Sequence, residues 1–308
     1  MGYSRWDSST WRGHSAGHSG LRREEIFRRR SLDRDLDPRG VRMRESRDST
    51  FNPQSNAVIV ALDVTGSMGM VAEVIARQGL GTLVEEMLVR LPVSDPHLLF
   101  MGVGDVKSDQ APLQVTQFEA DIRIAQQLER IWLEGGGGGN NSESYALPWY
   151  FAARRTAIDC HEKRGRRGYL FTIGDEMPPE PLTAQDIWQV FGDEVSQPIS
   201  AAAALAMAEQ RYHCFHIVAE EGSYARAHPD RVVPAWRDFM GQRVLRLADH
   251  RRVAELIVSA IAINEGANPR DVAASWNGDA GDVVGHAFGG APSRITGVLG
   301  DWFRRRLP

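Results

Sequence analysis

A doubly wound α/β fold, with a mostly parallel central sheet flanked by helices, is what this 308-residue chain predicts. Short, mainly apolar runs at Ala57–Leu62, Leu98–Val103, Tyr169–Ile173 and Tyr212–Val218 have the length of strands covered on both faces. Between them lie segments whose apolar residues recur every three or four positions. Runs alternating with such segments are the pattern of parallel strands joined by helical crossovers.

Taken in order, Ala57–Leu62 is continuous enough for a central strand. Val71, Val74, Ile75, Leu80, Leu83, Val84, Met87, Leu88 and Leu91 then mark one face of a long helix, which Pro92 ends. Leu98–Val103 is the second strand, and Leu113–Phe118 reads as an edge strand. Ile124, Leu128, Ile131 and Trp132 mark a helix running into the five glycines Gly135–Gly139. A helix over about 144–160 leads through the basic turn Lys163–Arg167 to the strand at Tyr169–Ile173. A Pro-rich turn, two short helices, the strand at Tyr212–Val218 and a closing helix bearing Val253, Leu256, Ile257, Ala260 and Ile261 complete the domain, expected over 56–265.

The flanks differ in composition. Residues 1–55 are poor in aliphatics and rich in Arg, Asp and Ser, and such a segment has little to bury against the cost of ordering, so a mostly disordered tail is expected, with a short helix near Arg22–Arg30. Residues 266–294 read as a Gly/Ala-rich linker, and Ile295, Val298, Leu299, Trp302 and Phe303 as a short amphipathic segment before Arg304–Arg306.

The net charge is −4, with twelve Arg against eight acids in the first 50 residues, so the remainder is strongly acidic and unlike a nucleic-acid surface. All but two of the 36 basic residues are Arg, a bias read as compositional. Cys160 and Cys214 are too few for a disulfide framework, and no apolar stretch approaches the roughly 20 residues of a membrane span or forms a signal peptide. A soluble, cytoplasmic protein is expected.

The chemistry concentrates in three loops. The first strand runs into Asp63-Val-Thr65-Gly-Ser67, the glycine run continues as Asn140-Asn141-Ser142-Glu143-Ser144, and Tyr-Leu-Phe-Thr-Ile leads to Gly174-Asp175-Glu176. Each leaves the carboxyl end of a strand or faces it, where open α/β sheets bind ligands. Carboxylates and hydroxyls at alternate positions offer the hard oxygens that Mg²⁺ requires. The bland account of Asp63-Val-Thr-Gly-Ser, a helix N-cap, leaves the other two loops unexplained.

These residues resemble the von Willebrand factor A family, including integrin I domains, whose metal-ion-dependent adhesion site is Asp-x-Ser-x-Ser with a distant Thr and Asp. The resemblance covers about 56–265 and includes the order of elements; it implies a Rossmann-like fold of the bacterial, intracellular type. Asp63, Thr65 and Ser67 match the first motif, Thr replacing the first Ser, and Asp175 matches the last acidic position, with Ile-Gly-Asp where the family often has Thr-Asp-Gly. For the distant Thr the loop supplies Asn141, Ser142 or Ser144, and Ser142 is the expected ligand. The resemblance implies Mg²⁺ or Mn²⁺ as cofactor, no turnover, and a protein partner whose acidic residue completes the metal's shell.

Two other readings compete. A haloacid dehalogenase-type phosphohydrolase also uses a strand-terminal Asp, and Gly104-Asp105-Val-Lys-Ser-Asp109 resembles its acidic loop, but Thr65 stands where that family has a second carboxylate. Asp105 and Asp109 otherwise read as solvated loop acids. An Arg-rich tail could tether nucleic acid, although its own acids dilute the field. His213 and His216 fall on opposite faces of a strand, so core packing is expected rather than zinc, and Cys160 beside His161 reads as structural.

Overall fold

The computed structural model of the protein describes residues 5–18, 20–135 and 143–289, without the side chains of Ser8 and Ser67. The strands, in chain order, are β1 (Arg44–Ser46), β2 (Asn56–Asp63), β3 (Pro96–Val103), β4 (Leu113–Val115), β5 (Thr156–Ile158), β6 (Gly168–Gly174), β7 (Tyr212–Ala219) and β8 (Val244–Leu247). Six of them make one sheet in the order β4-β3-β2-β6-β7-β8, parallel except for β4 at the edge. This is the doubly wound, mostly parallel sheet that the alternation of runs and helices predicts.

Both faces are covered, which is why β2 carries no polar residue between Asn56 at its start and Asp63 at its end. Val58, Val60 and Leu62 pack with Val71, Ile75, Leu83 and Leu256 on one side. Ala57, Ile59 and Ala61 pack with Tyr145, Trp149, Phe191 and Trp236 on the other. The expected long helix forms as Gly69–Val74, a wider π turn at Ile75–Gly79, and Leu80–Arg90, closed by Leu91 in the left-handed region at φ 47°.

From β2 the chain steps to β3 on one side and later to β6 on the other, so the strand order reverses between β2 and β6. The carboxyl ends of those two strands therefore part into a crevice. Asp63 ends β2 and Gly174 ends β6, one residue beyond the paired Leu62 and Ile173.

The flanks depart from expectation. Residues 8–18 form a helix, and Trp11, Ile26, Phe27 and Leu36 are buried in the same core as β2. Farther on, β1 pairs in parallel with β5. A segment with too few apolar residues for a core of its own can still bury them on a surface that already exists. Ion pairs add to the docking: Arg23 to Glu73 at 2.7 Å, Arg130 to Asp33 at 2.7 Å and Arg47 to Asp159 at 2.8 Å. Arg130→Ala is therefore expected to cost about 1–2 kcal/mol, since Asp33 is nearly buried while the arginine is a third exposed. Urea unfolding would read this; no change in midpoint would mean that the segment is not docked.

The expected linker is likewise helical over Pro269–Ala274 and Asp279–Ala287, and buries Val272, Ala273 and Val284. Asn268 caps the first of these helices by accepting from the Arg270 N–H, and Pro269 starts it. Trp276 Nε1 donates to Ser259 Oγ at 2.7 Å, and Arg90 lies over its ring. The amphipathic segment at 295–303 lies outside the described residues.

Three elements were not legible. The helix Pro229–Met240 and β8 extend the sheet and its cover beyond what periodicity reveals. The helix expected over 144–160 stops at Arg154, because Thr156–Ile158 pairs with β1 instead. Among the described residues, no helix is long and apolar enough to cross a membrane.

Candidate metal centre

Asp63 sits at the end of a wholly buried strand and is itself about 1% exposed. Its Oδ1 accepts from the Thr65 backbone N–H at 2.9 Å and from the Thr65 hydroxyl at 2.6 Å. Its Oδ2 accepts from the Tyr145 hydroxyl at 2.9 Å. The carboxyl is pushed up to about 7, chiefly by burial, against the Thr65 hydrogen bonds and with the Asp175 charge adding to the rise.

Asp175 follows Gly174 at the end of β6 and is buried. Its Oδ2 accepts from the Tyr224 N–H at 2.8 Å, and burial raises its carboxyl despite that bond. The loop after β7 lies directly against it: a Cβ added to Gly222 would stand 2.3 Å from the Asp175 Cβ. Gly174 is needed just as strictly, since a Cβ there would fall 1.9 Å from the Tyr145 hydroxyl.

Two further carboxylates complete the cluster, and neither was selected from the sequence. Glu143 is buried, its Oε2 has no hydrogen-bond partner among the described residues, and its carboxyl is pushed up to about 10. Burial comes first among the causes, followed by the charges of Asp63, Glu176, Asp109 and Asp105, all negative. Glu176 Oε2 is also buried without a partner among the described residues, and its carboxyl rises to about 7 through burial and the Asp63 and Asp175 charges. The signal available was adjacency: Glu143 follows Ser142 and Glu176 follows Asp175 in the two loops already singled out.

Asp105 and Asp109 belong to the same neighbourhood and are buried, not solvated as expected. Asp109 Oδ2 accepts from the Asp105 N–H at 2.8 Å, and Asp105 Oδ1 from the Lys107 N–H at 3.1 Å. Ser144 is committed to this loop, its Oγ accepting from the Val106 N–H at 3.0 Å. That engagement tells against Ser144 as the distal hydroxyl. Ser142 and Asn141 lie outside the described residues, as does the side chain of Ser67.

An aromatic pillar supports the floor. Tyr145 meets the His216 ring edge-on at 5.2 Å, and His216 stacks on Trp236 with centroids 3.4 Å apart. Trp236 Nε1 donates to the Glu176 carbonyl at 2.8 Å, which ties the Asp175–Glu176 turn to the core. Burial drives His216 well below its ordinary value, so it stays neutral, with its Nδ1 2.9 Å from the Thr172 hydroxyl. His213 faces the other side against Tyr169, as the strand period requires. Cys160 is buried and its thiol is raised by that burial, consistent with a structural role.

Among the described residues, no three acids or histidines that include Asp63 or Asp175 bring their ligand atoms within 4.8 Å of one another. The donor set fits a hard divalent cation only as a mixed one, in which hydroxyls share the shell with carboxylates and water.

No protein-family model and no curated protein matches the chain. Solved structures that are similar to it include the pilus adhesin SpaC from Lactobacillus rhamnosus GG in an open conformation, at 10% identity and TM-score 0.44 over 72% of this chain. A von Willebrand factor type A protein from Catenulispora acidiphila aligns at 14% identity and TM-score 0.37 over 70%. BatB from Bacteroides thetaiotaomicron aligns at 15% identity and TM-score 0.41 over 69% of this chain and all of its own. The chain spans only 31% of the adhesin and 44% of the Catenulispora protein. Likeness this loose carries nothing about the site, and the architecture rests on the strand order and registers of this chain.

Proposed function

We propose that the crevice is a cation-dependent protein-binding site of the adhesion type, in which Mg²⁺ or Mn²⁺ at the switch point captures a carboxylate of a partner protein. One observation carries the reading: Asp63, Glu143 and Asp175 are buried at one sheet edge with the half-buried Glu176 beside them, burial raises all four carboxyls, and one oxygen each of Glu143 and Glu176 lacks a partner among the described residues. Buried, unpaired carboxylates are costly, and a divalent cation is the compensating charge that suits oxygen donors.

Asp63, Thr65 and Asp175 would hold the ion, with Ser67 and Ser142 from the motif and Glu143 as a further donor. When bound, the ion supplies positive charge and an open position to an incoming carboxylate. The protein's own groups orient the set: Thr65 and Tyr145 fix the Asp63 carboxylate, and the Tyr224 N–H fixes Asp175. The pillar of Tyr145, His216 and Trp236 closes the floor to water.

Glu143 favours a second reading. A third carboxylate near the ion would offset more of its charge and weaken capture of another, leaving a cation that only fixes the three loops. The phosphohydrolase alternative gains little, because Thr65 stands where that chemistry needs a second carboxylate and the Asp105 and Asp109 oxygens accept from backbone N–H groups. The tail-driven alternative loses arginines to intramolecular pairs such as Arg23–Glu73 and Arg47–Asp159.

Calorimetric titration of Mg²⁺ and Mn²⁺ into wild type and Asp63→Ala, followed by a Glu-bearing model peptide and a phosphatase assay, tests the proposal. Metal uptake lost in the variant, peptide binding only with the ion present, and no phosphate release are expected. Equal uptake by both proteins overturns the site. Uptake without peptide binding supports the second reading, and metal-dependent phosphate release supports the enzyme.

A further inference from the structure

We propose that His14, His18 and Glu129 form a separate site for a borderline transition cation of the Zn²⁺ type, which pins the N-terminal helix to the domain. His14 and His18 stand one turn apart on the helix Ser8–His18, on one face, with their rings stacked at 4.1 Å. Glu129 caps the C-terminus of the helix Arg123–Leu128, more than a hundred residues later. Its Oε1 lies 2.7 Å from His14 Nε2 and 3.2 Å from His18 Nε2. All three ligand atoms lie within 4.8 Å of one another, and the side chains are only 12%, 14% and 25% exposed.

Hydrogen bookkeeping at His18 makes this more than a chance contact. Its Nδ1 is 2.8 Å from the His14 carbonyl, which can only accept, so Nδ1 carries the hydrogen. In the neutral ring the Nε2 lone pair then faces a carboxylate oxygen 3.2 Å away, a contact that needs positive charge between the two atoms, supplied either by a proton or by a metal ion. An imidazole whose far nitrogen donates to a backbone carbonyl is the arrangement that orients a metal-binding histidine. His14 Nδ1 has no partner among the described residues, so the ring hydrogen can sit there and leave Nε2 for the metal.

Two imidazoles and a carboxylate suit Zn²⁺ and leave a fourth position for water, whereas Mg²⁺ prefers oxygen donors. Bonds of about 2.0–2.2 Å in a tetrahedron put ligand atoms roughly 3.3 Å apart, so the His14–Glu129 pair need open by only about half an ångström. The C-terminal end of the helix is already held, since Arg77 Nη1 donates to the His18 carbonyl at 2.8 Å. Trp11 packs edge-on to His14 with centroids at 5.9 Å and is a built-in reporter.

The full-length chain is titrated with Zn²⁺, read by thermal shift and tryptophan fluorescence, and with Co²⁺, read by visible absorption. Wild type is expected to melt several degrees higher with Zn²⁺ and to give the intense absorption of four-coordinate Co²⁺. The double variant His14→Ala/His18→Ala is expected to lose both while still responding to Mg²⁺, and Asp63→Ala to keep both. No Zn²⁺ response in wild type, an undiminished response in the double variant, or weak six-coordinate Co²⁺ absorption overturns the site. The wild-type Co²⁺ spectrum decides even if the double variant fails to fold, and none of these results bears on the Mg²⁺ proposal.

Discussion

Asp63→Asn is expected to make the metal-free protein more stable at pH 8 and to abolish its stabilisation by Mg²⁺. The Asp63 carboxyl is raised from 3.8 to about 7 by burial, with the Asp175 charge adding to it. Between pH 4 and 7 the native state therefore keeps a proton that the unfolded chain has released. Stability falls as pH rises through that window, because the native state binds more protons there, and it levels off above pH 7. A shift of about three units corresponds to at most about 4 kcal/mol, shared among carboxyls that titrate together. Asn removes the charge and keeps the geometry: its oxygen can accept from Thr65 and its amide can donate to the Tyr145 oxygen. Carboxyls lowered by ion pairs, such as Asp33 and Asp159, act with the opposite sign but at lower pH, so they do not mask the effect. Urea unfolding at pH 5 and pH 8 in chelator, repeated with Mg²⁺, reads the outcome. An Asn variant less stable than wild type at pH 8 without metal would show that the buried charge is already compensated within the protein.

Gly174→Ala is expected to cost about 3 kcal/mol or more and to remove metal binding together with stability. The added methyl would lie 1.9 Å from the Tyr145 hydroxyl and 2.4 Å from its Cζ. That ring is fully buried edge-on against the stacked His216 and Trp236 and cannot swing away, and its hydroxyl holds Asp63. The strain therefore falls on β6 and on the Asp63 carboxylate at once. Tyr145→Ala vacates the same space, so Gly174→Ala should cost far less in that background, a non-additivity that a double-mutant cycle measures. Additive losses would mean that the two residues do not collide.

Much of this site is written in local sequence. The apolar run before Asp63 and the run before Gly174 suit buried parallel strands, whose carboxyl ends a parallel sheet gathers on one edge, and the structure pairs them side by side where the strand order reverses. Asp63, Thr65 and Asp175 were legible because strand-terminal residues carry their position in their context. Glu143 was not, because nothing in Ser-Glu-Ser distinguishes a buried carboxylate from a solvated one. Tyr145 was hidden for the same reason: its role depends on a glycine 29 positions later that leaves room for its hydroxyl. β8 and the docked N-terminal segment escaped because short, mixed segments draw their stability from a partner surface, which periodicity does not register.

Alternating apolar runs and amphipathic stretches determined by themselves that this protein is a doubly wound α/β sheet with carboxylates and hydroxyls at its carboxyl edge. That level of structure follows from local periodicity and from the need to cover both faces of a parallel strand. Tertiary structure alone decided which acids are buried together, that Asp105 and Asp109 join them, and that His14 and His18 find Glu129. Charge burial and ligand distances depend on groups far apart along the chain, and only the folded packing brings those groups into one another's field.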